Sequence, residues 1–326
     1  MSSNSPLSHL PRPSTQYPRR FAPEKLNASD WQQLEPLYKE LLFRPLENSA
    51  AFRRWVEDRS ELDSIVKEEE SRLYIAMTCD TQNPLHSAAF QHFIEEIEPR
   101  LAPLSNQLDQ KMVSSNFAED FEKEHPLWFK SLRTSIELFR EENIAVETAI
   151  ALEIQRYQQL TGSQSALFRG EQKTLIQLSS LLEENDRTLR EEAWRAITKR
   201  REEDREALDL HFETLFELRQ KVSRQCGYPS FVDYIFEQKN RWDYTAADCQ
   251  KFHAAVEESV VPLYRKILKR RAAEMKLDRL RPWDLACDSQ GREPLKIFDG
   301  SDELEEIAEN VFSAISPRLK EPFQKM

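Results

Sequence analysis

The sequence predicts an all-α protein, and three observations carry that prediction. Glycine is scarce, 5 in 326 residues, under a quarter of the ~7% that is usual; β-hairpins depend on it. Apolar residues recur at i, i+3, i+4 and i+7 through most of the chain, the period of a helix with one buried face. No breaker stands between Thr188 and Gly227, so one helix of about 39 residues, roughly 58 Å long, is expected there. The 17 prolines then belong in loops, at helix starts or at kinks.

The elements follow in order. Residues 1–20 are Ser- and Pro-rich and lack an apolar core, so a disordered tail is expected and a secretory signal is not. Asp30 is placed to cap a helix with the stripe Trp31, Leu34, Tyr38 and Leu41. A second helix holds Phe52, Trp55 and Val56, and a third holds Leu62, Ile65 and Val66 and runs on to Met77. After a turn at Thr78 to Pro84 comes the stripe Phe90, Phe93, Ile94, Ile97, Leu101, Leu104 and Leu108. Pro99 and Pro103 interrupt it, so a kink or break is expected at Glu98.

Leu132 to Tyr157 reads as another long helix, with Gly162 as its C-terminal cap. Residues 161–172 read as the clearest internal loop, after which Thr174 starts a helix through Leu175 and Leu178. Thr188 and Glu191 have the spacing of a capping box for the long helix. Its middle, Lys199 to Glu206, has no apolar residue, so pairs such as Arg200 with Asp204 must hold it in solvent. Ser230 starts a short helix, and Thr245 with Asp248 caps the next, which Pro262 should bend. Ser289 to Pro294 reads as a turn joining two short strands, and Asp302 as the cap of a last helix through Leu304, Val311 and Ile315.

Composition excludes several functions. Asp and Glu outnumber Lys and Arg by 57 to 46, a formal charge of -11, against a nucleic-acid or anionic-membrane partner. No apolar run approaches the ~18 residues of a membrane span. The four cysteines, Cys79, Cys226, Cys249 and Cys287, show no C-x-x-C spacing, and free thiols in a reducing cytoplasm are the simplest reading.

A family resemblance rests on scaffold wording. The pieces are Ser71-Arg72-Leu73-Tyr74-Ile75 with Asp80-Thr81, Arg187-Thr188-Leu189-Arg190, Gly227-Tyr228-Pro229-Ser230-Phe231, Trp242-Asp243-Tyr244-Thr245 and Leu280-Arg281-Pro282-Trp283-Asp284. Together they resemble oligoendopeptidase F and the thimet-oligopeptidase-like zinc metallopeptidases, strongly from Asp186 to Asp284 and thinly elsewhere. The resemblance implies an almost wholly helical fold whose two lobes enclose a channel for oligopeptide substrates. It also implies zinc, held by the two His of H-E-x-x-H and a downstream Glu. That string is absent from Met1 to Met326, so no catalytic, cofactor-binding or metal-binding residue is carried over.

The expected organisation is a tail over 1–20, an N-terminal helical lobe over 21–185, and the incomplete first part of a peptidase catalytic domain over 186–326. The chain reads as the front portion of a zinc-dependent oligoendopeptidase, inactive alone, with zinc belonging to the parent family and none expected here. The alternative is a catalytically dead helical binding scaffold of the same descent. The reading frame beyond Met326 separates the two. Apolar faces left uncovered by a divided domain should make the fragment self-associate.

Four other constellations stand out in the sequence. Cys249, His253 and Glu257 follow i, i+4 spacing and offer three ligands, but a small Cys packed beside Phe252 and Val256 explains them as well, since closed zinc sites cluster more tightly. His92 with Glu95 and Glu96 has ordinary polar-face composition. Arg265, Lys266, Lys269, Arg270 and Arg271 suggest nucleic acid, yet they lie near a helix C-terminus, where cations are favoured. Tyr228, Phe231, Tyr234, Phe236, Trp242 and Tyr244 suit a peptide groove, but core packing against the long helix explains them better.

Overall fold

The computed structural model describes residues 19–325, so the tail expected over 1–20 lies outside them except for Arg19 and Arg20. The fold is all-α, with one two-stranded hairpin among the described residues. The described chain divides into two compact units, residues 19–163 with 205–254, and residues 164–204 with 255–325.

The first unit begins where Glu61 accepts the amides of Arg20, Phe21 and Ala22 at 2.8, 3.1 and 2.8 Å. It contains α1 (Trp31–Phe43), α2 (Ser49–Cys79), α3 (Pro84–His92), α4 (Glu98–Ser114), α5 (Ala118–Glu124), α6 (Pro126–Leu138) and α7 (Glu141–Gly162). Asp30, Asn48 and Asn83 cap the first three with side-chain oxygens on orphan amides. Leu34, Tyr38, Leu41, Phe52, Trp55, Leu62, Ile97, Leu108 and Phe129 are sealed in one core. Polar groups at its edge are paired: Trp55 Nε1 donates to Leu41 O at 2.8 Å, and Lys111 Nζ to the carbonyls of Leu41, Leu42 and Arg44. These are carbonyls that the end of α1 leaves without helical partners.

The second and third expected helices are one, α2, because nothing between Val56 and Leu62 breaks the turn. The helix expected from Leu132 to Tyr157 is two. It breaks at Phe139 and Arg140, where Arg140 Nη1 donates to Glu137 O and Phe139 O at 2.8 and 2.7 Å and so satisfies freed carbonyls. Gly162 is no left-handed cap; it ends α7 helically, and a Cβ there would lie 2.8 Å from Thr81 Oγ1. Its smallness serves packing.

The expected disturbance at Glu98 is present, with a defined form. Phe93–Ile97 is a π turn in which the Glu98 amide donates to Phe93 O, one residue beyond the α-helical partner. The same device precedes Pro262: Val256–Val260 is a π turn whose following amide, Val261, donates to Val256 O, whereas Pro103 is carried inside α4. Each turn lets a proline without an amide enter the next helix near its start.

The rest of the first unit is α10 (Arg205–Gln225), α11 (Phe231–Gln238) and most of α12 (Ala246–Ala255). Val222, Cys226 and Tyr234 form a second core with Leu138 and Val146. Ser230 and Thr245 cap α11 and α12 as expected.

Residues 161–172, which enter the second unit at Gln164, are not a loop throughout. Strand β1 (Ser165–Phe168) pairs antiparallel with β2 (Glu171–Thr174) across a two-residue turn, Arg169-Gly170, with φ of 50° and 89°; two positive values mark the hairpin turn that matches strand twist. Thr174 and Gln177 form a reciprocal capping box for α8 (Leu175–Ser180). Helix α9 (Arg187–Glu203) follows, capped by Asp186 through the amides of Thr188 and Leu189 rather than by Thr188 with Glu191. Phe168, Leu175, Leu178, Ala193 and Ile197 form this unit's core.

The expected 39-residue helix is therefore interrupted, at Asp204. Its carboxylate receives Arg200 Nη1 at 2.6 Å and Gln164 Nε2 at 2.8 Å. The expected Arg200 pair exists, but in a stretch without apolar contacts the side-chain bonds override helical continuity. Beyond lie α13 (Val261–Glu274), α14 (Ser301–Ile315) and α15 (Pro317–Lys325). Ser289 to Pro294 holds a turn with Gly291 at φ 74° and no strand. Helix α14 starts after Gly300 without a side-chain cap, so Asp302 lies inside its first turn.

Candidate functional site

The wording that carried the family resemblance becomes a buried ionic lock. Asp284, in the short helical turn Pro282–Asp284, is sealed from solvent, as is the Arg190 guanidinium apart from 2% of that residue. Arg187 reaches Asp284 as a fork, Nε to Oδ1 at 2.9 Å and Nη2 to Oδ2 at 3.0 Å. Arg190 donates to Asp284 Oδ1 at 3.3 Å, to Trp283 O at 2.8 Å, and to the carbonyls of Glu184 and Asn185 at 2.9 Å each. The Arg281 amide completes the carboxylate at 2.8 Å. Burial alone would raise the Asp284 pKa; Arg187, the Arg281 amide and Arg190 outweigh it and hold the carboxyl below its usual range. Trp283 packs on Trp194 at 5.3 Å between ring centres, with Arg195 over its face. Every ionised group here is spent on another, so the lock fixes backbone and offers no chemistry.

A second buried ion set was not visible in the sequence. Glu153 on α7, 6% exposed, is hydrogen-bonded to His211 Nδ1 of α10 and receives Arg156 Nη1 at 2.6 Å. Burial would raise Glu153, but His211 and Arg156 bring it below the usual carboxylate range. A third group is unusual in the other direction: burial, with Glu70 and Glu147 nearby, pushes Glu98 up to about 7 despite Lys67.

His253 and Glu257 are exposed and Cys249 is half-buried, with Glu257 in the π turn that shifts the helical register. Among the described residues, no three His, Cys, Asp or Glu side chains are grouped to hold a metal ion. His92 donates to or accepts from nothing acidic; its Nε2 lies 3.2 Å from Ser29 O. Arg271 is tied to the carbonyls of Asp284 and Cys287, while Arg265, Lys266, Lys269 and Arg270 are exposed. Tyr228, Phe231 and Tyr234 pack in the second core, Phe236 meets Tyr244 edge-on, and Lys130 lies 4.2 Å over Trp242.

Comparison with known proteins gives these placements a frame. Residues 21–139 match the peptidase M3 N-terminal domain and residues 180–311 match peptidase family M3. The chain belongs to peptidase family M3. The lock lies within the second matched span. No curated protein matches the sequence. Among solved structures, one named as an oligoendopeptidase F aligns over 95% of this chain and 55% of its own, with a TM-score of 0.86 and 23% identity. PZ peptidase A with an inhibitor aligns over 94% and 55%, at 0.86 and 23%. A Bacillus anthracis protein named as an oligoendopeptidase F aligns over 95% and 57%, at 0.85 and 20%. At these identities the likeness shows the fold, and the M3 chain spans a little over half the length of those structures. Family M3 is in general zinc-dependent. The donors described here do not fit that ion, for want of any cluster of ligating side chains.

Proposed function

We propose that this chain is the front portion of a zinc-dependent oligoendopeptidase and shapes one wall of the channel that admits short peptides. Residues 21–185 act as the N-terminal lobe and residues 186–326 open the catalytic domain. The carrying observation is the ordered pair of M3 matches on a chain without H-E-x-x-H. On this reading the metal-activated water of a zinc peptidase is supplied by residues other than these. Its contribution is shape: the Asp284 lock and the core of α1 to α7 hold backbone that the substrate side of the fold uses. Four cysteines without a disulfide support a reducing, cytoplasmic setting, and no described helix is long and apolar enough to cross a membrane.

Incubation of the purified chain with fluorescent oligopeptides, followed by mass spectrometry, tests this reading. The peptides should be recovered whole. Chelator-sensitive cleavage would overturn it.

A further inference from the structure

The interruption between α9 and α10 has no cause in its own sequence. From Lys199 to Glu206 the chain reads Lys-Arg-Arg-Glu-Glu-Asp-Arg-Glu. It has no Gly or Pro, and every residue but Asp204 is a strong helix former. The break is a single residue wide: α9 ends at Glu203 and α10 starts at Arg205. Asp204 has φ -97° and ψ 5°, off the helical pair of values. Its amide meets Arg201 O at 3.3 Å, the tighter i-3 partner.

What holds the break comes from elsewhere in the chain. Gln164, 8% exposed, stands between α7 and β1 and donates Nε2 to Asp204 Oδ2 at 2.8 Å. Arg200 Nη1 reaches the same oxygen at 2.6 Å, but an i, i+4 pair forms equally well in an unbroken helix. Gln164 is thus the bond of this set that the helix does not supply itself. Two pairs act with it: an unbroken helix would set Arg201 against Arg205 and Glu202 against Glu206, like charges four residues apart. Propensity favours continuity, repulsion opposes it, and one hydrogen bond to a carboxylate is of the same scale as either. The two forms are therefore closely balanced. Such a conflict between local sequence and tertiary contact marks an element with two arrangements.

We propose that residues 199–208 are a two-state switch, interrupted while Gln164 holds Asp204 and a continuous helix once it lets go. The catch is 40 positions away in sequence, so a displacement of the connector between α7 and β1 is read out as helix continuity. Release gives the amides of 205–207, at the start of α10, the helical partners that a helix start lacks. This inference does not depend on the peptidase reading.

Hydrogen exchange of the whole chain, resolved to single amides, tests it. Gln164→Ala removes the catch and leaves the helix sequence intact. The amides of 205–207 should then exchange at least ~10-fold more slowly, while those of α2 keep their parent rates. Gln164→Glu, close to glutamine in size, repels Asp204 and should slow the same amides, which keeps the test open if the alanine variant folds poorly. Asp204→Gly should leave them fast, because glycine opposes the continuous form. Exchange at 205–207 that is unchanged or faster in both Gln164 variants would overturn the proposal, by showing that the helix sets its own break. Slowing in Asp204→Ala without slowing in either Gln164 variant would overturn it too, since Gln164 would then not be the catch.

Discussion

Helix α2 and helix α14 are both amphipathic, and they meet opposite fates. In α2, Phe52, Trp55 and Leu62 are wholly buried against α1 and α4 neighbours in one core. In α14, Leu304, Val311 and Ile315 repeat the helical period just as regularly and none is buried. Period therefore decides that a segment is a helix and which side is apolar. Whether that side becomes core depends on what else packs there, which is a property of the whole fold.

The comparison is sharpest by truncation. Trp55→Ala removes a sealed indole and the hydrogen bond to Leu41 O, and should cost about 3–5 kcal/mol in urea unfolding. Asp284→Asn leaves Arg190 buried beside a neutral group and should cost about 3 kcal/mol, with the loss greatest in probes of α9. The sign follows from the depressed folded pKa: the lock's contribution is present above the unfolded carboxyl value and fades as pH falls through the folded one.

Glu98 behaves inversely. Its folded pKa of about 7 lies above the ordinary glutamate value of 4.5, so the folded state holds the proton more tightly. Its contribution is fully present at low pH and is lost as pH rises through about 7. Glu98→Gln should raise stability at pH 8 by about 1–2 kcal/mol, discounted for partial exposure, and the gain should vanish in acid. At the other end, Leu263→Ala on α13 should change stability by under about 0.5 kcal/mol. A cost near that of Trp55→Ala would break the comparison by showing that α13 is already packed.

What the sequence revealed divides along the same line. The caps at Asp30, Thr174, Ser230 and Thr245 were legible because each acts within three residues of its own helix. The disturbances at Pro99 and Pro262 were legible because a missing amide is local, although their π form was not. The hairpin at Arg169-Gly170 was missed because strands of four residues show no period. The break at Asp204 was missed because Gln164, which holds it, is 40 positions away. Glu153 and His211 are 58 apart, and neither residue advertises a partner. The Asp284 lock falls between: its wording was recognised, but its role as a buried ion set emerged only when residues 187, 190 and 284 stood together.

Zinc titration of the metal-free chain by calorimetry tests the central claim most directly, that this part of an M3 peptidase supplies scaffold and leaves the metal chemistry to other residues. The account predicts no saturable, tight heat. A stoichiometric site that Cys249→Ala or His253→Ala abolishes would contradict it.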